Sequence, residues 1–198
     1  MDKLLGILMR QLEKHEMIPE GEQEVYAYSL EVALGSASFW IMIAGLTAFW
    51  GELGPTVIYL SAFFFLRTAI GGYHAQTHWR CLAISAGVYV VFIGCYRYLA
   101  EQALWTVLFS GLAGILIFIF APIDHPNKPF SQSERSQYRR QSCYRAWIFC
   151  LFQIFVFLFG QISIAFCAAF GALQSAVFML IAYSQYQGGG KINERSFN

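Results

Sequence analysis

The side chains able to do chemistry gather in one stretch, Arg67-Thr-Ala-Ile-Gly-Gly-Tyr-His74-Ala-Gln-Thr-His78-Trp-Arg80-Cys81. Two of the four histidines, one of the five cysteines, two arginines and the Gly71-Gly72 pair share these fifteen residues. A cysteine beside histidine and cationic groups can be held as the thiolate, the form that attacks carbonyl carbon. Adjacent glycines let a chain bend or let a peptide approach closely. The same residues also suit a plain turn between two helices, with arginines reaching lipid phosphates. Both readings stand on the residues alone.

Spacing separates the two histidines. Were the stretch one straight helix, His78 and Cys81 would be i,i+3 neighbours. His74 and Cys81 would share a face but lie about 10.5 Å apart along the axis. A His74–Cys81 dyad therefore needs a non-helical or sharply bent segment, which Gly71-Gly72 permits. A metal reading also exists: His74 and His78 are one turn apart, and Cys81 is a possible third ligand. Ala75, however, stands where a zinc protease of the H-E-x-x-H type has its glutamate base. No carboxylate lies near enough in sequence to replace it. No metal and no cofactor is expected.

The elements that must position these residues are membrane helices. Hydrophobic residues make up 57% of the 198, against about 45–50% in an ordinary soluble domain, and charged residues only 13%. A water-soluble fold of this size could not bury so much apolar surface. Disorder, a disulfide scaffold and nucleic-acid binding all fit poorly. The composition implies an all-α integral membrane protein, with one polytopic domain over residues 1–198. Apolar stretches at about 32–50, 55–70, 82–99, 104–121, 146–161 and 162–183 are long enough to serve as six spans. Gly160 and Gln161 mark the break between the last two. Residues 1–20 are expected to form an amphipathic helix at the membrane interface, because Leu4, Leu5, Leu8 and Leu12 recur at helical spacing among charges. A small-residue cleavage site is missing, so a cleavable signal peptide is not expected. Residues 122–145 read as a basic loop, and the glycines at 188–190 mark 186–198 as a flexible tail.

Charge sets the orientation. With six spans and the N-terminus inside, twelve of the thirteen Lys and Arg residues are cytoplasmic, and only Arg97 is outside. Both termini are then cytoplasmic. The acidic residues bound the chemistry: none lies between Glu52 and Glu101, between Glu101 and Asp124, or between Glu134 and Glu194. A paired-aspartate intramembrane protease is excluded, and a pump relying on membrane carboxylates is disfavoured. No G-x-S-x-G occurs, which weakens a serine hydrolase. Cys95, Cys150 and Cys167 fall in apolar spans, where a thiol behaves as a small hydrophobe. Cys143 lies in the basic loop without a histidine near in sequence.

The run Gly71-Gly72-Tyr73-His74-Ala75 followed by Cys81 resembles the signature of the AgrB family of quorum-sensing peptide processors. Ala121-Pro122 with Asn127-Lys128-Pro129 resembles that family's second block. Length, an amphipathic start, several spans and a basic loop also match, so the resemblance covers nearly the whole chain. It implies a cysteine endopeptidase of the bacterial cell membrane that processes an AgrD-type propeptide. By that resemblance Cys81 is the nucleophile and His74 its base, which leaves His78 a structural or substrate-facing role. An acyl-enzyme thioester at Cys81 would then pass to the propeptide's own cysteine or serine, closing a thiolactone or lactone. A homodimer is implied by the resemblance as well.

Candidate substrate-binding residues are Arg67, Gly71, Gly72, His78, Arg80, Lys128, Arg135, Arg139 and Arg140. The arginines of the first stretch could bind a carboxylate or contact membrane lipids. The loop bases could attract an acidic propeptide tail or simply satisfy the positive-inside rule. Two other functional classes compete: a non-enzymatic exporter or scaffold for a small peptide, and a metal-dependent membrane hydrolase built on His74, His78 and Cys81. Thiol alkylation should abolish activity of the cysteine enzyme and leave export largely intact, and chelation should matter only for the metal enzyme.

Overall fold

The structure, a computed structural model, describes residues 2–14, 18–19, 23–71, 78–123 and 131–193. Among the described residues there are seven helices and no strand: α1 (Asp2–Lys14), α2 (Gln23–Trp50), α3 (Leu53–Ile70), α4 (His78–Leu99), α5 (Ala103–Phe120), α6 (Gln132–Leu158) and α7 (Ile162–Asn193). Helix is what hydrocarbon demands, because each backbone N–H and C=O must then find its partner within its own segment. Six of the seven, α2 to α7, are long and apolar enough to cross a membrane. The fold is thus all-α, as the composition requires. Hydroxyls inside the spans turn back on their own helix: Ser36 Oγ donates to Val32 O at 2.9 Å and Ser38 Oγ to Leu34 O at 2.8 Å.

The chain groups into two compact units. One comprises α1, α2 and α4 as far as Gly87; the other comprises α3, α4 from Val88, and α5 to α7. In the first unit α1 packs on α2. The second unit is built around α7, 67% of whose apolar window is buried. Helices α3 and α5 are its main neighbours, and α6 packs on all three.

The face of α7 explains why it is central. Ala165, Ala168, Ala169, Ala172 and Ala176 are all buried and small, so neighbouring backbones can come close. At Gly171 the approach is closest. A Cβ placed there would lie 2.4 Å from Tyr59 O and 3.0 Å from Phe63 N, so α3 crosses on bare backbone. Leu66, Ile70, Ala113, Ile117, Ala146, Phe149 and Met179 complete the core at that crossing. Nearer the Glu52 end the core is aromatic. Tyr59 stacks on Phe92 with centroids 4.2 Å apart, and its hydroxyl donates to Gln174 Oε1. The Thr56 and Tyr89 hydroxyls are 2.7 Å apart.

Three boundaries differ from the sequence reading. The basic segment expected as a loop over 122–145 is helical from Gln132 onward, and α6 runs unbroken from there into the apolar stretch. The reason is local. Ser131 Oγ accepts from Glu134 N at 3.2 Å and Glu134 Oε2 accepts from Ser131 N at 2.9 Å, a reciprocal capping box. Helix α2 starts at Gln23, nine residues before the expected span at 32. Helix α7 continues to Asn193, through the glycines expected to begin a flexible tail. Between α6 and α7 the chain breaks at Phe159–Gln161, where Gly160 has φ 70°.

Candidate functional site

The reactive stretch is not one straight helix. Helix α3 ends at Ile70, Gly71 leaves it with φ 74° and ψ −168°, and α4 begins at His78. Cys81 lies in the first turn of α4 and is exposed, as is Arg80 beside it. Gly72 and His74 lie outside the described residues, as does the side chain of His78. Lys128 and Asn127 of the second block lie outside them as well. Among the described residues, which include neither His74 nor the His78 ring, no group of three metal-binding side chains occurs.

The root of the stretch is held in detail. Ile123 N donates to Ile70 O at 3.3 Å, joining the residues after α5 to the last residue of α3. A Cβ at Gly71 would lie 2.9 Å from Ile123 O, so a side chain there would strike the backbone that leaves α5. The two sequence blocks, Gly71-Gly72 and Ala121-Pro122, are therefore tied together at their bases. A glycine at 71 answers both the left-handed φ and the close approach.

Arginines hold the helix ends around this point. A helix leaves its last four carbonyls without helical donors. Arg67 Nη1 donates to Gly71 O at 3.1 Å, and its guanidinium lies 5.8 Å from the centroid of the Phe178 ring. Arg139 donates to Phe118 O and Ala121 O at the end of α5. Arg145 donates to Phe65 O at 2.8 Å and to the Thr68 hydroxyl, and stands 5.6 Å from the Phe65 ring centroid. The buried Ser142 hydroxyl is 2.9 Å from Ala69 O.

The structure thus sorts the candidate residues. Arg67, Gly71 and Arg139 meet at the ends of α3 and α5, bound to backbone. Arg135 and Arg140 are exposed on α6, and Arg80 and Cys81 are exposed at the start of α4. Sequence reasoning missed Ser142 and read Arg145 only as one of the loop bases that could attract an acidic propeptide tail. Only the Ser131-x-x-Glu134 signature, which announces that this segment is helical, could have pointed toward them.

The family model described as Accessory gene regulator B matches residues 3–182 of the chain. Protein FsrB of Enterococcus faecalis is 28% identical over 138 residues, 69% of this chain and 57% of that protein. The chain therefore aligns with little more than half the length of that relative. No solved structure matches. With six apolar helices behind it, the chain is a multi-pass membrane protein, and a match over residues 3–182 places it in the accessory gene regulator B (AgrB) family.

Proposed function

We propose that this protein is a membrane cysteine endopeptidase that processes an AgrD-type quorum-sensing propeptide, with Cys81 as nucleophile and His74 as general base. The observation that carries the reading is the placement of Cys81: exposed, in the first turn of α4, past a chain break at Gly71, in a chain of the AgrB family. The end of α3 at Gly71 removes the straight helix that would hold His74 far from Cys81, while His78 stays three residues before Cys81 within α4, so the choice of His74 rests on the resemblance of the Gly71–Cys81 run to the family signature.

The chemistry balances in two transfers. His74 takes the proton from the Cys81 thiol, and the sulfur attacks the scissile carbonyl carbon. The first-turn N–H groups of α4 lack helical acceptors and are the kind of donors that hold a developing oxyanion. The tetrahedral intermediate collapses with cleavage of the C–N bond, and His74 returns its proton to the departing amine. The propeptide's own thiol or hydroxyl then attacks the Cys81 thioester, closing the ring and freeing Cys81. Thioester exchange is near thermoneutral, so excluding water at the membrane edge favours ring closure over hydrolysis.

We place the termini and the 71–81 and 121–145 segments on the cytoplasmic side, because that orientation puts twelve of thirteen basic residues inside. Arg80, Arg135 and Arg140, together with Lys128, are the cations proposed to receive propeptide carboxylates or lipid phosphates. We further propose that α1 lies in the headgroup layer and that the working form is a homodimer. The deciding experiment is intact mass spectrometry in proteoliposomes with a synthetic AgrD-type propeptide. The expected result is a hydroxylamine-sensitive adduct on the wild-type chain, missing in Cys81→Ala and His74→Ala but present in His78→Ala. Retention of full processing by Cys81→Ala would sink the proposal.

A further inference from the structure

We propose that α6 carries a binding site for an anionic phospholipid, in which the Arg140 guanidinium holds the headgroup phosphate and the exposed stripe beside it lies along the acyl chains. The site goes beyond the peptidase reading and does not depend on it. The arginines of α6 are sorted by the face they occupy. Ser142, Ala146, Phe149, Gln153 and Val156 form the buried stripe of α6, which packs on α3, α5 and α7. Arg139 and Arg145 flank that stripe and spend their guanidinium groups on carbonyls, Arg139 on Phe118 O and Ala121 O, Arg145 on Phe65 O. Arg135 continues the line of the buried stripe, seven residues before Ser142. Arg140 stands on the opposite face. At helical spacing it lines up with Tyr144, Trp147, Leu151 and Leu158, which are 67%, 62%, 62% and 79% exposed.

Depth and charge together identify what meets Arg140. It precedes Leu158, the last residue of α6, by eighteen residues, about 27 Å of helix against a hydrocarbon thickness of about 30 Å. With Leu158 at one edge of the hydrocarbon, Arg140 is at the other, where its apolar stem carries the guanidinium to the phosphates. Tyr144 and Trp147, the next two residues of the stripe, are the amphipathic aromatics that settle at such a boundary. This depth holds whichever way the chain is oriented. The neighbouring helices offer no counter-charge. The one carboxylate of α6 is Glu134, whose Oε2 accepts from Ser131 N at 2.9 Å, and α3, α5 and α7 contain no Asp or Glu. The anion therefore comes from outside this group of helices. A guanidinium offers phosphate two parallel N–H donors, and the long apolar stripe beside Arg140 selects an anion that carries acyl chains over a soluble one.

The test compares two arginines of one helix. The full chain in detergent is titrated with dioleoylphosphatidylglycerol and, separately, with dioleoylphosphatidylcholine, and bound lipid is counted by native mass spectrometry. The wild-type chain is expected to prefer phosphatidylglycerol. Arg140→Gln should lower that affinity about fivefold, the worth of one basic residue at an anionic surface, and leave phosphatidylcholine binding unchanged. Arg135→Gln makes the same change of charge on the other face and should stay within about twofold of the wild type, well short of the loss expected for a phosphate contact. Equal losses in the two variants would mean that only total charge counts and would overturn the site, as would an unchanged affinity in Arg140→Gln. Displacement of the lipid by sn-glycerol 3-phosphate or by a short Asp/Glu peptide would reveal an open anion site and overturn the lipid assignment. A second measurement needs no variant. In vesicles, a phosphatidylglycerol with a diazirine on its headgroup is expected to crosslink to α6 within residues 136–147, and crosslinks confined to other helices would overturn the proposal.

Discussion

Gly71 shows how one residue can be fixed by backbone geometry at the start of the proposed catalytic stretch. Its φ of 74° lies in the left-handed region, and an added Cβ would meet Ile123 O at 2.9 Å. Gly71→Ala therefore meets two separate penalties. Holding alanine in that conformation costs about 1–3 kcal/mol, before any shift of Ile123 is counted. The expected outcome is a lowered melting temperature in detergent together with slow processing of propeptide, since the departure of the chain from α3 at Gly71 must move. Unchanged stability and turnover would mean that the close approach has no weight. A different residue-scale expectation attaches to Tyr59 and Gln174, both buried and hydrogen-bonded to each other within the apolar core. Tyr59→Phe leaves the Gln174 carbonyl oxygen without that donor, at a cost of about 1–3 kcal/mol. Thermal unfolding of the purified protein reads this as a lowered midpoint, and Tyr59→Phe with Gln174→Leu should recover part of the loss.

At the scale of elements, the helices divide into those that composition announces and one whose start needs a capping signal. The six spans are legible because hydrocarbon permits few alternatives to uninterrupted apolar helix. The first half of α6 is different. Its Ser, Gln, Arg and Tyr residues carry no apolar run, so by hydropathy it resembles a loop, yet Ser131 and Glu134 begin a helix there. Ser131→Ala should cost about 1 kcal/mol and fray the first turn, read as faster hydrogen exchange at residues 132–135. Should exchange there stay unchanged, the capping box is not what starts α6. The arginines were legible as charges but not as caps. Whether Arg139 or Arg145 meets lipid, ligand or backbone depends on which helix end lies beside it, and that is fixed by tertiary packing. Gly171 was illegible for the same reason: a glycine in an apolar run shows nothing of the α3 backbone pressed against it. Gly171→Leu should force α3 and α7 apart and cost about 1–3 kcal/mol or more by overpacking, seen as a loss of thermal stability.

For the whole molecule, the number of spans and the distribution of charge make one joint claim that a labelling experiment can break. Six spans would put both termini on one side of the membrane, and the proposed orientation, drawn from the charge count, makes that side cytoplasmic. The connections between α3 and α4 and between α5 and α6 then share that side, whereas Glu101 and Gln161 lie in connections on the other. This arrangement predicts the reach of a membrane-impermeant maleimide. Applied to intact cells, the reagent should label Glu101→Cys and Gln161→Cys but leave Cys81 and Cys143 untouched. Applied to inverted membrane vesicles, it should label Cys81 and Cys143 instead. An odd number of spans would place Cys81 and an added cysteine at the C-terminus in patterns that this scheme forbids. Labelling of Cys81 from outside intact cells would reverse the orientation and remove the cytoplasmic face as the side from which a propeptide reaches the thiol.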